Sequence, residues 1–153
     1  MNGTDALEVR PLVESDRAAW TQLWTAYLAF YETSLPVEVY DTAWWRLMGA
    51  EPYDANGLVA CFGGKPVGLT HYLFHRHGWK VENVCYLQDL YADPAHRGTG
   101  IGRALIEAVY AAADAQGCPS VYWMTQEHNA TARQLYDRIA VRSGFIQYKR
   151  GQS

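Results

Sequence analysis

"ADPAHRGTGIGRAL", residues 92–105, places Gly98, Gly100 and Gly102 in one short loop. Before it, "NVCYLQDLYA" (83–92) is rich in apolar and aromatic residues and predicts a strand. Pro94 has no N–H to donate, so strand pairing ends there. After it, Ile101, Ala104, Leu105, Ala108, Val109 and Ala112 recur at helical spacing, and Gly117 and Pro119 end the helix. A strand, a glycine loop and a helix N-terminus together form an anion site. The first-turn N–H groups lack partners, and the helix dipole favours negative charge. Glycine lets an anion reach the main chain without striking a Cβ. The spacing excludes two common users of this device. A Walker loop requires GxxxxGK[ST], and the loop has no lysine. The dinucleotide fingerprint GxGxxG fails because Arg103 stands where its third glycine belongs.

Outward from the loop, the chain alternates between the two regular periods. "LEVRPL" (7–12) reads as a first strand, and Ser15 is a candidate cap for the helix carrying Trp20, Leu23, Trp24, Tyr27, Leu28 and Tyr31. "TSLP" breaks that helix, and residues 37–48 read as a second. "GLVACF" (57–62) and "PVGLTHYLF" (66–74), joined through "GGK", predict a hairpin. "SVYWM" (120–124) is a further strand, and Asn129 caps a helix with Ala132, Leu135, Tyr136 and Ile139 inward, stopped by Gly144. "FIQYK" (145–149) is expected to close the sheet. The order β-α-α-β-β-β-α-β-α-β predicts an α/β domain spanning 1–153, a mixed sheet with helices on its faces.

The chain has 153 residues, 49% hydrophobic and 19% charged, as expected of one globular domain. Its net charge of −3 argues against a nucleic-acid partner and tolerates a cationic substrate. No apolar run is long enough to span a membrane, and the first residues lack a secretion signal, so a cytoplasmic location is expected. Cys61, Cys85 and Cys118 are widely spaced and read as buried free thiols rather than a disulfide framework, with Cys85 a remote candidate nucleophile. His71, His75 and His77 share strand parity, but Arg76 and the lack of a neighbouring ligand set argue against a metal.

The pattern Arg97-x-x-Gly100-x-Gly102 resembles the acetyl-CoA-binding motif of the GNAT superfamily of N-acetyltransferases. The similarity runs from 86 to 149 and is greatest to the small polyamine- and histone-type branch. It implies a mostly antiparallel sheet of six to seven strands flanked by four helices and splayed between the fourth and fifth strands. It implies acetyl-CoA as co-substrate, with the pyrophosphate on N–H groups of Gly98, Thr99, Gly100, Ile101, Gly102 and Arg103, flanked by Arg97. The pantetheine arm would pair with the backbone of Leu90, Tyr91 and Ala92 as an added strand. Asn129 matches an asparagine that helps hold the cofactor, and Tyr136 the general acid that protonates the leaving thiolate. Attack by the amine is then direct, without an acyl-enzyme.

The base is left open by the resemblance. The polyamine branch carries a glutamate where this chain has Gln88, in "LQD", and an amide takes no proton. Asp89 substitutes, or Glu32, His71 or Glu127 acts through water, or the amine arrives neutral. Strand alternation sends Gln88 and Asp89 to opposite faces unless a bulge intervenes. Tyr27 and Tyr31, one turn apart, are candidates for a wall of the acceptor pocket, with Asp89. Trp44 and Trp45 are adjacent and cannot both face inward, so one is a candidate contact in a homodimer. The expected acceptor is a small-molecule or peptide amine; the competing reading is a non-catalytic CoA-binding sensor or scaffold.

Overall fold

The computed structural model describes residues 6–151. The chain divides into two compact units, Met1–Trp123 and Met124–Ser153. The first contains β1 (Leu7–Pro11), α1 (Arg17–Phe30), α2 (Val37–Met48), β2 (Asn56–Phe62), β3 (Lys65–His75), β4 (Val84–Ala92), α3 (Ile101–Ala115) and β5 (Val121–Tyr122). Its sheet has the order β1-β2-β3-β4-β5; the first four strands are antiparallel to their neighbours, and β5 is parallel to β4. The second unit carries α4 (Ala130–Ile139).

One sheet face is covered by α1 and α2. Trp20, Trp24 and Leu28 recur along the inner face of α1 and pack with Trp44, Leu12, Val59, Cys61 and Leu69. Adjacent helical positions diverge as the 3.6 period requires: Trp44 is 1% exposed and Trp45 66%. The other face is covered by α3, which buries Ile101, Leu105, Ile106, Val109 and Ala113. Gly68 of β3 permits this seating, because a Cβ there would stand 2.7 Å from Ile101 Cγ2 and 2.8 Å from the Tyr91 carbonyl oxygen. The backbone at the end of β4 therefore lies close beneath the start of α3.

Several expectations are corrected. Ser15 does not cap α1. A 3-10 turn, Glu14–Asp16, precedes the helix, and Asp16 is its N-cap residue. The Asp16 carboxylate is a stronger acceptor than a hydroxyl. It takes two hydrogen bonds from Arg10, at 2.8 and 2.9 Å, and the Val13 N–H at 2.8 Å. The sheet has five strands rather than six to seven. Among the described residues, 145–149 form no strand, and β5 is two residues long. A short apolar and aromatic run makes a strand only where a partner edge accepts its backbone, and among the described residues no ladder takes this one. Helix α4 ends at Ile139, before Gly144, where Ala140 turns extended.

Candidate functional site

The loop after β4 is built to expose backbone. Asp93 accepts the Ala95 N–H at 2.9 Å and starts a short 3-10 turn, Pro94–His96. Gly98 and Gly100 then take φ of 81° and 82°, left-handed values that side chains resist. A Cβ on either would meet nothing within 4 Å, so the bareness is not required by packing inside the chain. Gly100 accepts the Ala104 N–H at 3.0 Å, which opens α3 and leaves the N–H groups of Ile101, Gly102 and Arg103 without helical partners. Arg103 lies 3.5 Å from Glu107, both side chains well exposed. Arg97 has no ion pair among the described residues. Phosphate oxygens fit such a cradle.

Beside the loop, β4 is paired on one side only over most of its length. β5 matches Cys85 with Val121 and Tyr86 with Tyr122, and its pairing ends there. From Leu87 to Ala92, β4 has β3 on one side and no strand on the other among the described residues. Leu90, Tyr91 and Ala92 lie on this stretch. It offers main-chain donors and acceptors of the kind an extended amide-bearing chain would use.

The middle of β4 is irregular. His71 is opposite Asp89, while Tyr72 is opposite Leu87, so Gln88 is an extra residue in a β-bulge. The bulge defeats the alternation, and Gln88 and Asp89 border the same cavity. The Thr70 hydroxyl, fully buried, donates to the Asp89 carbonyl at 2.7 Å and secures the irregular turn of the strand.

The Asp89 carboxylate gathers two of the predicted residues and one alternative. The Tyr27 hydroxyl donates to Oδ1 at 2.8 Å, and His71 Nδ1 lies 2.9 Å from Oδ2. Burial, and then the charge of Asp89, holds the Tyr27 phenol well above its ordinary value, so it stays a donor. Tyr31 meets the Tyr27 ring edge-on at 5.2 Å and is likewise raised by burial and Asp89. The cavity itself, about 530 Å³, is walled by Trp24, by α2 residues including Glu38 and Arg46, by Asp54, and by His71, Leu73, Gln88 and Asp89. Tyr27 braces Asp89 and Tyr31 packs on Tyr27, and neither is among the residues that wall this space. The sequence reading missed Arg46, whose signal is a lone basic residue on an otherwise acidic and aromatic helix, "VEVYDTAWWRLM".

Other candidates find different roles. Cys85 is fully buried, and burial pushes its thiol up to about 12, which removes it as a nucleophile at neutral pH. His75 Nε2 bonds the Tyr122 hydroxyl at 2.7 Å, and His77 Nδ1 accepts the Trp79 N–H at 3.1 Å. In the second unit, Glu127 lies 3.8 Å from Arg142. Asn129 caps α4, accepting the Ala132 N–H at 3.5 Å and donating to Thr125 at 3.2 Å, and Tyr136 lies on the same helix. No helix among the described residues is long and apolar enough to cross a membrane.

A glycine cradle at the mouth of α3, a half-paired strand beside it and a cavity lined by carboxylates are features that an acyltransferase of the acetyl-CoA type would use. The chain belongs to the GNAT acetyltransferase family, whose sequence model matches residues 18–140. The protein is an N-acetyltransferase that acts on an amine. It is 38% identical to the D-amino-acid N-acetyltransferase HPA3 of Saccharomyces cerevisiae, over 95% of this chain and 91% of that one. A thialysine N-epsilon-acetyltransferase of Bos taurus is 34% identical over 65% of this chain and 56% of its own length. Among solved structures, AAC(6')-Iy in complex with a CoA-containing bisubstrate analog superposes with a TM-score of 0.83 at 15% identity, covering 97% and 99% of the two chains. A ribosomal-protein-alanine N-acetyltransferase from Brucella melitensis gives 0.77 at 20% identity, over 96% and 100%. These two share the fold.

Proposed function

We propose that the protein transfers the acetyl group of acetyl-CoA directly to the amine of a free amino acid, residues 1–153 working as one transferase domain. The observation that carries the acceptor class is the charge pattern of the cavity. The charged lining residues are Glu38, Asp54 and Asp89, which are acidic, and Arg46, which is basic. Asp89 supplies an anion for the ammonium group, and Arg46, which has no side-chain partner among the described residues, supplies a cation for the carboxylate. Amino acids are zwitterions and match both signs. The yeast and bovine relatives, named for D-amino acids and thialysine, point to the same class.

Acetyl-CoA brings an activated thioester. The N–H groups of Gly98 to Arg103 and the charge of Arg97 hold its diphosphate. Leu90, Tyr91 and Ala92 align the pantetheine amides, and Asn129 adds to that grip. A β4 N–H that no neighbouring strand uses polarises the thioester carbonyl. The amine nitrogen attacks the carbonyl carbon, the C–N bond forms, the C–S bond breaks, and Tyr136 gives its phenolic proton to sulfur. A phenol with an ordinary pKa near 10 remains protonated at neutral pH, as this role requires. A homodimer is part of the reading, with the exposed Trp45 its candidate contact. So are a cytoplasmic setting and the lack of a nucleic-acid partner.

Release of CoA thiol from acetyl-CoA, with D- and L-amino acids, their amides, polyamines and lysine peptides as acceptors, tests the reading. Amino acids are expected to exceed their amides in kcat/KM at least tenfold, and Arg46→Gln to erase that gap by raising KM for the acids alone. Equal use of acids and amides by the unaltered protein would remove the acceptor class. Tight CoA binding with no thiol release under any amine would restore the sensor reading.

A further inference from the structure

We propose that Asp89 is the proton acceptor of the reaction and that Trp20 and His71 are positioning residues that hold it in that role. The inference rests on the transferase reading and names the base that it leaves open.

The argument begins at Trp20. Its Nε1–H lies 2.9 Å from His71 Nε2. An indole nitrogen only donates, so Nε2 must present its lone pair. The ring proton of His71 is then on Nδ1, which donates to Asp89 Oδ2 across 2.9 Å. The indole cannot swing away. Trp20 is 1% exposed, with the rings of Trp24 and Trp44 at 5.0 and 5.1 Å and Tyr40 at 6.1 Å.

Three consequences follow for the site. His71, itself 4% exposed, has both nitrogens committed and has none to offer an incoming amine. Asp89 receives one hydrogen bond on each oxygen, from Tyr27 and from His71, and this fixes the carboxylate plane. Each oxygen still has a second lone pair, and Asp89 borders the acceptor cavity. There the ammonium ion gives one proton to Asp89, its N–H bonding pair becoming the lone pair that attacks the thioester carbon. The second proton, shed by nitrogen as the amide forms, goes to water, and the Tyr136 phenolate takes one back from water. Asp89 afterwards returns the proton to water. Gln88, beside it on the bulge, has no such capacity and contributes only amide hydrogen bonds.

The chain Trp20–His71–Asp89 is tested without any variant by ¹⁵N-edited NMR of the full-length protein. His71 is expected as the Nδ1–H tautomer; an Nε2–H tautomer would overturn the proposal. Kinetics supply the second arm. His71→Leu removes the donor and is expected to lower kcat 20-fold or more with less than a threefold change in KM for acetyl-CoA. His71→Asn keeps an N–H near the Nδ1 position and is expected to recover most of that loss. Equal losses in the two variants, both folded by near-UV circular dichroism, would also overturn it. Asp89→Asn, which retains shape but accepts no proton, is expected to fall at least 100-fold in kcat; a fall below fivefold sinks Asp89 as base. The transferase reading fails earlier, in the unaltered protein, if no amine releases thiol. The two failures are therefore distinguishable.

Discussion

Two adjoining parts of the chain, the bulge of β4 and the end of that strand with its following loop, present polar groups by opposite means. Toward its end and through the following loop, the strand leaves backbone groups without partners: β5 stops pairing at Tyr86, and the first turn of α3 begins behind Gly100. At Asp89 the strand instead gathers side-chain donors, with Tyr27, His71 and Thr70 each donating to that one residue. On the proposed reading, the loop recognises with main chain and needs absence of side chains, and the bulge recognises with side chains and needs each held in place. A diphosphate carries enough charge to be caught by amides and a helix dipole, whereas removing one proton from an amine requires a carboxylate at a fixed angle.

The sharpest way to break this contrast is Gly100→Val. The φ of 82° disfavours any Cβ, at about 1–2 kcal/mol for an ordinary side chain, and the β-branch would stand over the exposed amides. Because no atom beyond its own chain neighbours lies within 4 Å of the added Cβ, the fold should survive. CoA affinity by calorimetry is expected to fall about 100-fold, roughly 2.7 kcal/mol. A change below threefold would mean that the loop packs α3 and binds nothing.

The same contrast explains what could be read from the sequence. Backbone recognition is written in glycines at fixed spacing, so the loop and the extent of α3 were legible, and the helical period separated Trp44 from Trp45. Side-chain recognition depended on a bulge. Nothing in "YLQDLYA" announces that Gln88 is supernumerary, because the cause lies across the ladder, where His71 pairs with Asp89 and Tyr72 with Leu87. Trp20 read as core, and it is core; its single polar atom reaches His71 only after α1 has packed on the sheet. The strand expected at 145–149 is absent for a related reason, since a short apolar and aromatic run shows strand preference and not whether an edge is waiting.

A side-chain cluster far from any ligand tests whether a fully paired carboxylate is by itself worth as much. Asp16, buried between Arg10 and the Val13 N–H, is such a control. Hydrogen bonding from Arg10 outweighs burial and holds its carboxyl below the ordinary value. A lowered folded-state pKa contributes stability that is present above the unfolded value, near 3.9, and is lost as pH falls through the folded one. Asp16→Asn is therefore expected to cost about 1–2 kcal/mol in urea unfolding at pH 7. The gap to the unaltered protein should narrow below about pH 4, with acetyl transfer at neutral pH unchanged. A gap that does not vary with pH would assign the loss to packing.

The smallest effect concerns a left-handed residue that is not glycine. Glu32, just past α1, has φ of 55°, and the turn is closed by its own N–H to the Ala29 carbonyl at 2.9 Å and by Thr33 N–H to Leu28 at 2.9 Å. The φ is positive as at Gly98 and Gly100, and here the two hydrogen bonds of the helix-ending turn hold a side chain in that conformation. Glu32→Gly relieves the left-handed strain but frees the unfolded chain, and the two terms nearly cancel. A net gain of about 0.5 kcal/mol is expected from the shift in urea midpoint at constant slope. Activity should be unchanged under the proposal that Asp89, and not Glu32, takes the proton. A loss of kcat in a stabilised Glu32→Gly protein would move the base from the bulge of β4 to the end of α1. Side-chain recognition would then no longer belong to the bulge alone.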